Sequence, residues 1–91
     1  KEIEDLLLRH PQVTGAAIVG KPDDRLGEIG CAFVLPSGDP PTLEDLTGFL
    51  ETQGTTRQFW PEALVIVDEF PMTPSGKVQK YKLRQHFFEN S

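Results

Sequence analysis

The stretch Val13-Thr14-Gly15-Ala16-Ala17-Ile18-Val19-Gly20-Lys21-Pro22-Asp23-Asp24-Arg25-Leu26-Gly27-Glu28-Ile29-Gly30-Cys31-Ala32-Phe33-Val34-Leu35 decides the fold. Residues 13–19 and 29–35 are short apolar runs without strict alternation, the pattern of strands covered on both faces. Residues 20–28 between them are turn formers and charges, and read as a polar loop. A connection this short joins neighbouring antiparallel strands far more easily than parallel ones, which need a long crossover.

Outward from this hairpin the pattern turns helical. Upstream, Ile3, Leu6 and Leu7 follow helical spacing, and Glu2, Glu4 and Asp5 suit the positive end of the helix dipole. Pro11 is expected to stop that helix after His10, which reads as a capping or surface residue. Downstream, Thr42 is a good N-cap and Asp45 completes a capping-box-like start. Leu43, Leu46, Phe49 and Leu50 give the helix an apolar face, and Gly54 ends it. Pro61 precedes a β-branched strand over residues 63–67. Phe59 and Trp60 beside it read as core or docking residues rather than a stacking platform. A last helix is expected from Lys80 to about Phe88, with Leu83 and Phe87 on one face and Tyr81 and Phe88 covering an adjacent edge. The order helix, strand, strand, helix, strand, loop, helix predicts an α+β fold: a small antiparallel or mixed sheet of about three strands packed with helices.

Ninety-one residues make a single domain able to bury roughly 60–65% of its unfolded surface. Cys31 is the only cysteine, so no disulfide framework or cysteine-based metal cluster is expected, and its apolar surroundings predict a buried, inert thiol. No apolar run approaches the ~20 residues that span a bilayer, and no signal peptide is visible. A cytoplasmic, reducing setting is the default expectation. Lys1-Glu2-Ile3-Glu4-Asp5 lacks an initiator Met and enters a helix at once, so the chain reads as a piece of a longer protein.

The charges are unevenly placed. Nine basic against fourteen acidic residues give a net charge of −5, yet the segment from Phe70 to Arg84 carries Lys77, Lys80, Lys82 and Arg84 and no acid. A basic segment on an acidic body suits a small anion better than nucleic acid, which calls for a broad basic surface. The competing reading is a solvated helix face. Pro71 and Pro74 stiffen the loop before this helix and Gly76 frees its backbone, so Lys77 is placed for presentation to another molecule. A nucleoside-triphosphate P-loop does not fit, because Pro71 and Val78 occupy its first-glycine and hydroxyl positions. A lone lysine among small neighbours can still serve as a movable cation that offsets charge developing in a phosphoryl or nucleotidyl transfer. Lys21 and Arg25 could contact an anion or lie on a solvated turn, and His86 reads as a surface histidine.

Pro71-Met72-Thr73-Pro74-Ser75-Gly76-Lys77-Val78-Gln79-Lys80-Tyr81-Lys82-Leu83-Arg84 resembles the last signature motif of the adenylate-forming superfamily, which includes acyl-CoA synthetases, nonribosomal adenylation domains and luciferases. Glu2-Ile3-Glu4 through His10-Pro11-Gln12-Val13, Ala16-Ala17-Ile18-Val19-Gly20-Lys21-Pro22-Asp23, and Gly27-Glu28 leading into Ala32-Phe33-Val34 extend the resemblance over essentially the whole chain, in order. It implies that residues 1–91 are the small mobile C-terminal domain of a larger enzyme whose N-terminal ATP- and acyl-binding domain lies outside the chain. It implies Lys77 as the catalytic lysine of carboxylate adenylation, in a loop with Ser75 and Gly76. After a swing of the domain, Arg25, Gly27 and Glu28 would approach CoA. ATP, CoA and Mg²⁺ would serve the intact enzyme, with none held by this piece alone, which should be inactive; no metal ligands are expected here.

The character of residues 78–84 resembles fatty-acid and aryl-acid CoA ligases. The alternatives are an amino-acid-activating nonribosomal domain serving a carrier protein and, from another class, a stand-alone module that docks an anion or partner on its basic helix. A long coding region upstream would exclude the module.

Overall fold

The computed structural model describes residues 2–89. The central hairpin forms as expected: β1 (Val13–Asp23) pairs antiparallel with β2 (Gly27–Pro36). The ladder runs further than the apolar runs, through Lys21↔Ile29 and Pro22↔Glu28 to Asp23↔Gly27. Most of the expected loop 20–28 is therefore strand. Backbone pairing needs no apolar side chain, and Pro22 is tolerated because β1 is an edge strand of the sheet. The remaining turn is closed locally: Asp23 Oδ2 accepts the N–H groups of Arg25 and Leu26 at 3.2 and 2.8 Å, and Gly27 takes a φ of +84°.

Pro36 leads through residues 37–42 to α2 (Leu43–Thr52), and the chain returns as β3 (Ala63–Ile66), parallel to β2 with Cys31↔Ala63 through Val34↔Ile66. The sheet is mixed, in the order β1-β2-β3. The capping box at α2 is present in full: Asp45 N–H donates to Thr42 Oγ1 at 3.0 Å, and Thr42 N–H donates to Asp45 Oδ2 at 2.9 Å. The leading helix, α1 (Glu2–Leu7), ends three residues earlier than Pro11 suggests, because Arg9 and His10 already turn back tightly onto Leu6 and Leu7. His10 is structural. Its Nδ1 accepts the Gln12 N–H at 3.0 Å, and its ring packs edge-on against Phe49 at 5.0 Å.

Because β2 is the middle strand, its alternating side chains feed two cores. Ala32 and Val34 join Leu7, Val13, Leu46 and Leu50 under α1 and α2. Cys31 and Phe33 join Ala17, Val19 and Leu83 on the other face. One register detail escapes a plain period-2 reading. Val13 and Ala17 should share a face, yet they serve opposite cores, because a bulge between Val13 and Gly15 shifts the alternation by one. Gly15 suits the bulge: a Cβ there would run into Leu35 and Phe70. Cys31 is fully buried, and burial pushes its thiol up against the opposing pull of Lys21.

The last helical segment covers the expected residues, but only its first half is α-helix. α3 (Lys80–Arg84) passes into a π-turn over Gln85–Glu89. Within this turn both Phe87 and Phe88 reach Phe33, at 5.1 and 5.7 Å between ring centroids. Phe87 nevertheless stays partly exposed, and Tyr81 is 63% exposed and covers no edge. Among the described residues no helix is long and apolar enough to cross a membrane.

Candidate functional site

Lys77 closes a small hairpin built from its own backbone. Met72 and Val78 form an isolated antiparallel bridge, Thr73 N–H donates to the Lys77 carbonyl at 2.8 Å, and Gly76 N–H donates to the Thr73 carbonyl at 2.9 Å. Gly76 has φ +90°, the left-handed position that closes a three-residue hairpin loop. At the base, Gln79 N–H donates to the Pro71 carbonyl at 2.7 Å. The Thr73 hydroxyl organises the interior: it accepts Lys77 N–H at 3.1 Å and shares a 2.9 Å hydrogen bond with the Ser75 hydroxyl. Thr73 was not singled out in the sequence, although a threonine before proline at a turn is a recognisable local signal.

The four basic residues of this region have different fates. Lys80 Nζ lies 2.5 Å from Glu4 Oε2, and Arg84 bridges Glu28 at 2.6 Å and Glu89 at 2.8 Å. Among the described residues no carboxylate comes within ion-pairing distance of Lys77 or Lys82. Lys82 lines an open groove of about 840 Å³ with Asp68, Glu69 and His86; Lys77 is outside that lining. Lys77 is exposed, with Ser75 and Gly76 beside it. The hairpin thus offers a single unpaired ammonium at an open surface.

Arg25 and Gly27 occupy the β1–β2 turn, and Arg25 is exposed. Glu28 is engaged within the domain by Arg84, its carboxylate lying over Gly20, where a Cβ would displace it. Lys21 sits 6.0 Å from the Phe88 ring centroid. The structure therefore separates the two sets of candidates. Lys77 precedes the N-terminal end of α3, whereas the Arg25–Gly27 turn is tied to its C-terminal end through Glu28 and Arg84.

Glu4 was not recognised as a site residue. Its Oε2 accepts Ile18 N–H of β1 at 2.7 Å as well as Lys80. Burial works to raise its pKa, but the hydrogen bonds from Lys80 and Ile18, with the charge of Lys80, outweigh it and hold the carboxyl below its ordinary 4.5. A depressed carboxylate binds fewer protons folded than unfolded. Its stabilisation is present above about pH 4.5 and is lost as pH falls through the folded value. Glu4→Gln should therefore be less stable than the parent at neutral pH, with the gap narrowing in denaturant titrations taken below pH 4.5. A gap that ignores pH would contradict the pairing.

Among the described residues no three His, Cys, Asp or Glu side chains gather as a metal site. The model of the AMP-binding enzyme C-terminal domain matches residues 2–77. The chain belongs to this family. As an AMP-binding C-terminal domain it is 37% identical over 87 residues to the medium-chain fatty-acid–CoA ligase of Escherichia coli, covering 93% of this chain and 15% of that protein. It is 39% identical over 89 residues to the 2,3-dihydroxybenzoate-AMP ligase of Bacillus subtilis, covering 98% of this chain and 16% of that protein. In three dimensions it matches the apo structure of Mycobacterium smegmatis MbtA with a TM-score of 0.86 at 40% identity, over 90% of this chain and 16% of that one. The AMP-binding C-terminal domain thus spans about a sixth of the length of these relatives, and both cores and the mixed sheet belong to a shared fold.

Proposed function

We propose that this domain is the mobile small domain of an acid–CoA ligase and that Lys77 serves its adenylation step. The observation that carries the reading is the unpaired Lys77 ammonium on a hairpin braced by five hydrogen bonds, while Lys80 and Arg84 beyond it are neutralised. Such a group is positioned in advance and free to meet an anion.

In the first half-reaction an oxygen of the substrate carboxylate attacks the α-phosphorus of ATP. A carboxylate–phosphorus bond forms, the bond to the β-phosphate bridging oxygen breaks, and pyrophosphate leaves. Lys77 orients the carboxylate and offsets charge on the phosphoryl oxygens, and it moves no proton. Mg²⁺ would be held by residues of the large domain, since the described residues gather no ligand set, and it would supply charge compensation at the phosphates. In the second half-reaction the domain has turned, and the CoA thiolate attacks the acyl carbon and displaces AMP. The placement of the Arg25–Gly27 turn at the far end of α3 supports separate faces for the two steps. In this reading Arg25 and Gly27 lie toward CoA, and Glu28 holds the turn through Arg84.

Lys77 lies on an open surface, which fits a half-site completed by the large domain. The intact protein should then convert ATP, a fatty or aryl acid and CoA to acyl-CoA, AMP and pyrophosphate, with acid-dependent ATP–pyrophosphate exchange. Absence of that exchange across both acid classes would remove the reading. The match to an aryl-acid–AMP ligase keeps a carrier-bound acceptor as a second reading, and thioester formation on free CoA against a phosphopantetheinyl carrier decides between them.

A further inference from the structure

We infer that Glu4 is a positioning residue for Lys77, fixing the base of the lysine hairpin to the sheet through Lys80. The inference rests on the adenylation reading of Lys77.

The hairpin closes at Pro71 and Gln79, and α3 begins at the next residue. Gln79 occupies the N-cap position but its side chain makes no capping hydrogen bond, so the start of α3 lacks the usual local anchor. The anchor comes from across the fold. Lys80, the first helical residue, meets Glu4 Oε2, and the same oxygen accepts Ile18 N–H on the free edge of β1. Ile18, Glu4 and Lys80 thus form a continuous polar link from the sheet to a point three residues beyond Lys77. The Glu4 side chain is 15% exposed and that of Lys80 46%, so the carboxylate is fixed and the lysine comes to it. The other ion pair that ties α3 to the sheet, Arg84 with Glu28, acts at the opposite end of the helix. Val78 packs into the core beside Leu83, but an apolar contact is non-directional and leaves the hairpin free to tilt. Glu4 also neutralises Lys80, so that Lys77 stands as the unpaired cation leading into α3.

The test uses the intact protein, large domain included, and reads both half-reactions. Glu4→Gln keeps an oxygen acceptor for Ile18 N–H and removes the charge that holds Lys80. It should lower kcat for ATP–pyrophosphate exchange about 10-fold, since a misplacement approaching 1 Å costs up to about 10²-fold. KM for ATP and acid and thioester formation from supplied acyl-adenylate should stay close to parental values, while the lost ion pair lowers Tm without unfolding the protein under the assay conditions. Lys80→Ala should reproduce that profile, the double variant should be no worse than either single one, and Lys80→Arg should keep most of the activity. Wild-type exchange in Glu4→Gln, or an equal fall of both half-reactions, overturns the positioning role. Lys77→Ala is run alongside. If it adenylates normally, the reading of Lys77 itself falls; if it is inactive while Glu4→Gln is normal, only the positioning role falls.

Discussion

Lys77→Ala in the intact protein is expected to lower ATP–pyrophosphate exchange on the order of 10²–10³-fold, the loss that follows removal of one preorganised electrostatic group at a developing charge. The effect should be chemical and not structural. Lys77 is exposed and, among the described residues, has no carboxylate partner. Truncating such a side chain shifts stability by no more than about 0.5 kcal/mol. The hairpin's hydrogen bonds involve the Lys77 backbone and the Thr73 hydroxyl, so they survive the substitution. A large kinetic loss with an unchanged unfolding midpoint is the expected signature, measured by exchange assay and denaturant titration on the same preparation.

The largest effect on stability should come from Phe33→Ala. Phe33 is fully buried in the middle strand, opposite Ala17 on one side and Val65 on the other, and the rings of Phe87 and Phe88 close over it. Removing a buried phenylalanine costs about 3–5 kcal/mol in lost transfer energy and residual cavity. That is a large share of the ~5–15 kcal/mol that holds a domain together. The loss should not stay local, because Leu83, Val78 and Phe88 share this core and carry α3 and the lysine hairpin. Urea denaturation of the chain should show the midpoint falling steeply or the cooperative transition vanishing. Tyr81→Ala, which removes a ring that is 63% exposed, should shift it little.

What could be read from the sequence was what short-range chemistry dictates. The antiparallel hairpin follows from two apolar runs and a short polar link. The α2 start follows from Thr42 and Asp45, three residues apart and bonded as expected. The lysine loop follows from its prolines and Gly76. What could not be read depends on partners distant in the chain. Glu28 looked available until Arg84, 56 residues away, was seen to hold it. Glu4 looked like a helix-dipole residue until Lys80 and Ile18 met on one of its oxygens. The bulge at Val13/Gly15, where Leu35 and Phe70 leave no room for a Cβ at Gly15, is announced by no local pattern. The π-turn that lets both Phe87 and Phe88 reach Phe33 likewise follows from tertiary packing rather than helix propensity.

The most direct test of the proposed role is the ratio of the two half-reactions in Lys77→Ala, measured on one preparation of the intact protein. ATP–pyrophosphate exchange should collapse while thioester formation from preformed acyl-adenylate stays within about threefold of the parent, as the proposed assignment of the CoA step to the opposite end of α3 requires. Equal loss of both half-reactions would contradict that division of labour.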